Sequence, residues 1–234
     1  MVALAQRERH PWYAGRLAVL RAELDRLHLP AGAAILDAGC GTGGVLTELA
    51  RRGDVAGVDA DPASVAVARE RVPNAELHVA DAGALPFADG RFDLVCCLDV
   101  VEHADDDQAI LRELRRVTRG GGRLLLTVPA HPALWSGHDV AAGHRRRYGR
   151  RRLLAAARSA GWAPERVTHF NTLLLPAAAA MRVRDRRVES HLDRGPARLR
   201  PAVGVALRVE ARALRAGVRL PLGLSLLATF RTAA

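Results

Sequence analysis

Residues 134–152 read LWSGHDVAAGHRRRYGRRR, with two histidines, an aspartate, a tyrosine and six arginines in nineteen positions. These types suit proton transfer and the holding of an anion. Histidine titrates near neutral pH and can take a proton from a hydroxyl or a protonated amine. Asp139 directly follows His138 and precedes His144 by five residues, so it can orient either ring as the base. An arginine such as Arg147, or Tyr148, can fix an anionic acceptor. The six-residue step between the histidines is no recognised ligand spacing, so no metal is expected. The same side chains can also do no more than hydrogen-bond a loop to itself, and that reading stays open here. The triplets Arg145–Arg147 and Arg150–Arg152 read mainly as solvated charge.

A second concentration lies in ILDAGCGTGG (35–44). Gly39, Gly41 and Gly43 let the backbone bend sharply and approach a ligand closely. Gly39, Gly41 and Gly44 also satisfy the dinucleotide pattern GxGxxG, so the loop alone is ambiguous. Asp37, just before it, would repel a pyrophosphate but not a cationic sulfonium or ammonium. Asp59 stands where a carboxylate can accept two hydrogen bonds from a ribose. Asp81 could meet an adenine amine or simply serve a turn. Glu102 and His103 close the stretch LDVVEH (98–103), and either belong to a site or begin a loop.

These residues need a scaffold, and residues 31–128 supply an alternation of short apolar runs and amphipathic stretches. Strands are expected at 33–37, 54–59, 75–80, 92–99 and 123–128. Helices are expected at 43–52, with Val45, Leu46 and Leu49 inward, at 62–71 and at 106–117. Asp61 caps the second of these and Pro62 opens it; Asp105, Asp106 and Asp107 read as caps of the third, which the glycines 120–122 end. A helix at 151–162 and strands at 166–175 and 223–231 follow. Such alternation implies an α/β fold, a parallel sheet covered on both faces, with ligands beyond the carboxyl ends of the strands.

With these pieces in order, the chain resembles the class I S-adenosylmethionine-dependent methyltransferases. The resemblance rests on ILDAGCGTG (35–43), VDAD (58–61), ADAGALPF (80–87), FDLVCCLDVVEH (92–103) and LRELRRVTRGGGRLLLTVP (111–129), about 100 residues in sequence. It implies a Rossmann-like, doubly wound, seven-stranded sheet, mostly parallel with the last strand antiparallel. It implies S-adenosylmethionine as cofactor, with Gly39 and Gly41 behind the methionine part and Asp37 and Cys40 in the same turn. Asp59 would take the ribose and Ala60 the adenine face; Asp81 and the Ala82 amide would hold the adenine edge. The backbone near Leu98 and Asp99 would hold the methionine amino group, and His103 would lie near the reacting methyl. HPWYAGRLAVLRAEL (10–24) is similar to a helix that covers the cofactor in a subset of these enzymes. Trp12, Tyr13 and Arg16 would form that lid, with Arg16 near the methionine carboxylate; ordinary helix packing explains the stretch equally well. The spacing LWSxHDxxxGHxRRY resembles a bacterial small-molecule branch of the family. It implies that Trp135, His138, Asp139, His144, Arg147 and Tyr148 line a pocket.

The implied organisation is an N-terminal helical lid (1–30), a cofactor-binding core (31–173 and 221–234), and a basic helical insertion (174–220) between the last two strands. Charge follows that division: residues 1–140 hold 15 arginines against 20 carboxylates, residues 141–234 hold 20 against 5, and lysine is absent throughout. In 202–219, Val203, Leu207, Leu214 and Val218 share one helical side and Arg208, Arg212, Arg215 and Arg219 another. That is an amphipathic basic helix, which either packs on its own domain or meets an anionic membrane. LLLPAAAAM (173–181) could wall an apolar acceptor pocket, and Pro176, Gly195, Pro196 and Pro201 break the insertion into short helices. Cys40, Cys96 and Cys97 read as free buried thiols of a reducing compartment. The early charges argue against a signal peptide, and no apolar run nears the ~18 residues of a span, so a cytoplasmic protein is expected.

The leading expectation is methyl transfer to a small-molecule or lipid-like acceptor, at oxygen. A histidine takes the proton and the nucleophile is held in line, roughly 3 Å from the methyl. An RNA methyltransferase would use the basic half, but aromatics are only 4% of the chain and no Asn/Asp-Pro-Pro-aromatic motif follows the fourth strand. A non-catalytic cofactor-binding scaffold is a third reading. A nicotinamide oxidoreductase is disfavoured by Asp37 and Asp81.

Overall fold

The computed structural model of the chain describes residues 11–184 and 200–233. Its contacts group into two compact units. Of the described residues, the sheet unit holds 29–128, 150–167 and 227–233, and the helical unit holds 11–28, 129–149, 168–184 and 200–226.

Seven strands form one sheet: β1 (Ala33–Ala38), β2 (Gly53–Asp59), β3 (Glu76–Val79), β4 (Phe92–Leu98), β5 (Thr118–Pro129), β6 (Ala163–Phe170) and β7 (Ser225–Arg231). Their order is β3-β2-β1-β4-β5-β7-β6, mostly parallel with one antiparallel strand, as expected. The central strands β1 and β4 are buried almost residue for residue, the burial that a strand covered on both faces requires. Parallel register sets Asp37 beside Gly57 and Cys96, and Ala38 beside Val58 and Cys97. The carboxyl ends of β1, β2 and β4 therefore finish level.

The expected cap appears on α3 (Pro62–Arg71): the Asp61 carboxylate accepts the Ala63 and Ser64 amides at 3.1 Å each. The next long helix, α4 (Asp107–Val117), is capped by Asp106 and buries Ile110, Leu111, Leu114 and Val117 on one side. The helix α6 (Arg150–Ser159) precedes Trp162, whose indole donates to the Leu111 carbonyl at 3.0 Å.

Two expectations in the sheet unit need correction. Of the helix expected at 43–52, only α2 (Leu46–Leu49) forms. Gly43 takes φ +79°, a left-handed turn that an α-helix cannot include, so the helix starts after it. The glycines 120–122 do not end α4. Thr118 does, by turning extended while its hydroxyl bonds the Leu114 carbonyl at 2.6 Å. The glycines lie inside β5, where the register against β4 shifts and Gly121 takes φ +76°.

In the helical unit, α1 (Pro11–Arg26) packs along α8 (Arg200–Arg215). A Cβ at Gly15 would stand 2.5 Å from the Leu207 Cβ, so only glycine admits this approach. Val19, Leu20 and Leu24 of α1 are buried, as are Leu207, Ala211 and Leu214 of α8, and Arg215 pairs with Asp25 at 3.2 Å. Val218 departs from expectation: it lies past the helix end and is 47% exposed, while Val205 and Val209 share the exposed side with Arg208 and Arg212. Pro176 and Pro201 sit in the first turns of α7 (Leu175–Arg184) and α8, where a missing N–H is tolerated. Gly195 and Pro196 lie outside the described residues. Among the described residues, no helix is long and apolar enough to cross a membrane.

Candidate active site

The glycine-rich turn of the sheet unit is braced from β2. The Gly39 and Cys40 amides both donate to the Val58 carbonyl at 2.8 Å, and the Gly41 amide donates to Asp59 Oδ2 at 2.8 Å. Asp59 Oδ1 accepts the Asp61 amide at 3.0 Å. Each carboxylate oxygen keeps a second lone pair, so Asp59 can hold the turn and still accept from a diol. Gly39 (φ +86°) cannot carry a side chain, because a Cβ would lie 2.3 Å from Val100 Cγ2. At Gly41 (φ +51°) a Cβ would meet nothing within 4 Å. The turn thus presents bare backbone to open space, which is the cradle a close-packed ligand needs.

Other expected cofactor residues stand in the same unit. Ala60 is exposed beside Asp59, and Asp37 is buried at the end of β1. Asp81 accepts the Gly83 amide at 2.6 Å, the bond of a turn residue, while Ala82 is buried. Leu98 ends β4, and Asp99 takes φ +60°, a conformation that strains most non-glycine residues. It is fixed there by its amide on the Thr127 carbonyl (3.0 Å) and by the Thr127 hydroxyl on its carboxylate (2.9 Å). His103 is exposed at the end of a single 3₁₀ turn, Val101–His103, in which Glu102 is fully buried. Burial, then the charges of Asp37 and Asp59, push the Cys40 thiol up to about 12, so Cys40 is a wall and not a nucleophile. Cys96 and Cys97 are buried thiols raised in the same way.

The LWSGHDVAAGHRRRY stretch belongs to the helical unit. Ser136 and Asp139 form a capping box on α5 (Gly137–Ala141). Gly143 (φ +75°) then reverses the chain, and the His144 amide returns to the Asp139 carbonyl at 2.9 Å. That return settles which ring Asp139 orients. His144 Nδ1 lies 2.9 Å from Asp139 Oδ1, whereas His138 meets the His144 ring edge-on at a centroid distance of 6.3 Å. Arg147 donates to the same Asp139 oxygen at 2.7 Å and to the Ala130 carbonyl at 2.8 Å. Burial opposes the Asp139 charge, but the His144 bond, the Arg147 charge and bond, and the Ser136 amide hold its carboxyl at about 2. Arg147 is therefore committed to a buried pair. The Tyr148 ring is also buried, with its backbone bridged to Ala130. Trp135 is 40% exposed and, with Ala133, Ser136, Gly137 and Val140, lines a cavity of about 420 Å³. On α1, the buried Arg16 guanidinium lies over the Trp12 ring at 5.8 Å, and Tyr13 is half-buried.

Sequence reasoning passed over a further polar group in the helical unit. The rings of His131 and His169 stack at 5.4 Å, and Asn171 reaches the Ser225 hydroxyl at 3.3 Å. Glu210 of α8 is buried and accepts the Leu173 amide at 2.9 Å. Burial raises its pKa, although the amides of residues 171–173 work the other way. The available signals were a lone acid on the inner side of a basic helix, and the HFN that closes β6.

Residues 36–126 match the family described as a methyltransferase domain. A probable S-adenosylmethionine-dependent methyltransferase of Mycolicibacterium smegmatis is 35% identical over 116 residues, covering 48% of this chain and 44% of that protein. A demethylmenaquinone methyltransferase of Beutenbergia cavernae is 37% identical over 124 residues, covering 53% and 51%. The chain thus aligns with about half the length of these curated relatives. The crystal structure of a geranyl diphosphate C-methyltransferase from Streptomyces coelicolor, with S-adenosyl-L-homocysteine bound, superposes with a TM-score of 0.65 at 19% identity, covering 92% of this chain and 79% of that one. The bare Gly41 turn and the Asp59 carboxylate fit the cofactor of such a domain. Residues 36–126 are thus similar to a methyltransferase domain, and they lie on a Rossmann-like methyltransferase fold.

Proposed function

We propose that the chain transfers a methyl group from S-adenosylmethionine to an oxygen of a small-molecule or lipid-like acceptor. The observation that carries this reading is the glycine turn that faces open space while Asp59 braces it. Asp59 would hold the ribose hydroxyls, and Asp81 with the Ala82 amide the adenine edge. The Gly39–Gly41 backbone, with the chain at Leu98 and Asp99, would hold the methionine part. Bound there, the cofactor supplies an electrophilic methyl group on a cationic sulfur.

The chain's own residues have three further tasks: to seat the acceptor, to keep water out and to remove a proton. The segment that directly follows β5 is suited to them. Asp139 accepts from His144 Nδ1–H and so leaves the basic lone pair on Nε2, the tautomer a general base needs. Arg147 keeps Asp139 ionised and stationary. The Trp135 cavity offers an apolar wall for a ring or an isoprenoid-like acceptor. A relative named for demethylmenaquinone supports an acceptor of that class.

The test is incubation with radiolabelled S-adenosylmethionine and an extract of the source cells, followed by separation of lipid, small-molecule, RNA and protein fractions. Label is expected in the organic or small-molecule fraction. Label in RNA, or donor binding without any transfer, would overturn the proposal. His144→Ala should retain donor affinity and slow transfer by about a hundredfold or more, the usual contribution of a general base. Intact turnover in that variant would make His144 a loop-fixing residue.

A further inference from the structure

The outer side of α8 carries a pattern that its packing on α1 does not use. Val205 and Val209 are 50% and 48% exposed, one turn apart, and Arg208 and Arg212 are exposed with them. Arg208 and Arg212 meet no carboxylate among the described residues, whereas Arg215 is tied to Asp25. Branched apolar side chains gain nothing in water, and each arginine is solvated well enough without a neighbouring valine. Their interleaving is the composition of a helix lying in a bilayer interface: apolar side chains enter the acyl boundary, and the guanidinium groups reach the phosphates above it.

We propose that this side of α8 docks the chain on an anionic lipid surface. Charge complementarity selects that occupant, since residues 141–234 carry four times as many arginines as carboxylates. A nucleic acid would use the arginines but not the valines, and none of the exposed side chains named here is an aromatic on which a base could stack. The interaction is peripheral, because α8 has only 16 residues and keeps its other side on α1.

The test needs neither cofactor nor acceptor, so its outcome is separate from that of the methyltransferase proposal. The full chain is sedimented with vesicles of phosphatidylcholine alone, or of phosphatidylcholine with about one-third phosphatidylglycerol, at low and physiological salt. Binding is expected only with the anionic vesicles, weaker at higher salt. Arg208→Gln with Arg212→Gln should reduce it about thirtyfold, and Val205→Ser with Val209→Ser about tenfold. All four side chains are exposed, so melting curves should match wild type and exclude misfolding. Absence of binding to anionic vesicles would overturn the inference. So would binding indifferent to the valine pair, or a single-stranded RNA oligonucleotide that binds more tightly than the vesicles through the arginines alone.

Discussion

Asp139→Asn tests the centre of the LWSGHDVAAGHRRRY loop by stability alone. The carboxyl moves from an ordinary 3.8 to about 2, and at ~1.36 kcal/mol per unit its ionised form contributes about 2.4 kcal/mol to the fold at neutral pH. The substitution also leaves Arg147, 4% exposed, with its charge uncompensated, and breaking a buried pair costs about 3–5 kcal/mol. These figures describe one interaction from its two sides, so they overlap and do not add. We expect a loss of about 3 kcal/mol at pH 7, read from urea unfolding curves. Asp139 has a depressed pKa in the folded state. Its contribution is therefore complete above 3.8 and is lost as pH falls towards 2. By pH 3 the wild type has given up about 1 kcal/mol of it, while the asparagine variant has nothing to lose. The gap between the two proteins should narrow by that amount between pH 7 and pH 3. An equal gap at both pH values, or a loss under about 0.5 kcal/mol at pH 7, would refute the assignment of Asp139 as an ionised, load-sharing partner of Arg147 and His144.

Gly39→Ala should destabilise the sheet unit by about 1–3 kcal/mol and abolish donor binding, because φ is +86° and the new methyl meets Val100; unchanged calorimetric affinity would show the turn to be uninvolved. Asp59→Asn should weaken S-adenosylmethionine binding about tenfold to a hundredfold, the range for a hydrogen bond to a charged group, and an unchanged dissociation constant would remove Asp59 from the ribose. Glu210→Gln tests the opposite sign to Asp139. The Glu210 pKa is raised in the fold, so wild type loses stability as pH rises from 4.5 through that raised value. The variant should therefore melt higher than wild type at neutral pH and match it in acid; a variant less stable at neutral pH would show that the charge is favourable where it lies.

Elements set by nearest neighbours were legible in the sequence. The apolar runs between 33 and 128 became strands, whereas the strand expected at 166–175 stops at Phe170 and its leucine run leads into α7; Asp61 with Pro62 opened α3 as their positions demand. The shortening of α2 and the continuation of β5 through three glycines depend on φ angles that composition leaves open. The site divided in the same way. The glycine turn and Asp59 are eighteen residues apart on adjacent strand ends, a relation the βαβ pattern fixes. Adjacency in sequence favoured neither His138 nor His144, and only the reversal at Gly143 brings the second ring onto Asp139. The sequence marks Glu210 as a lone acid but not what it meets: its partners are backbone amides about forty residues earlier, and an amide carries no signature in a sequence.

The pairing of α1 with α8 also has a consequence for synthesis. The first of the described helices finds its packing partner about 190 residues later, so the loop it must close is long. Strands β1 to β5 lie in one uninterrupted stretch and can assemble while the ribosome is still translating. Throughout that interval Val19, Leu20 and Leu24 have no Leu207 to meet. The nascent chain thus trails an uncovered apolar stripe until α8 emerges. Holdase chaperones and proteases should recognise α1 before any other part of the molecule, and truncation before α8 should leave α1 as the first point of cleavage.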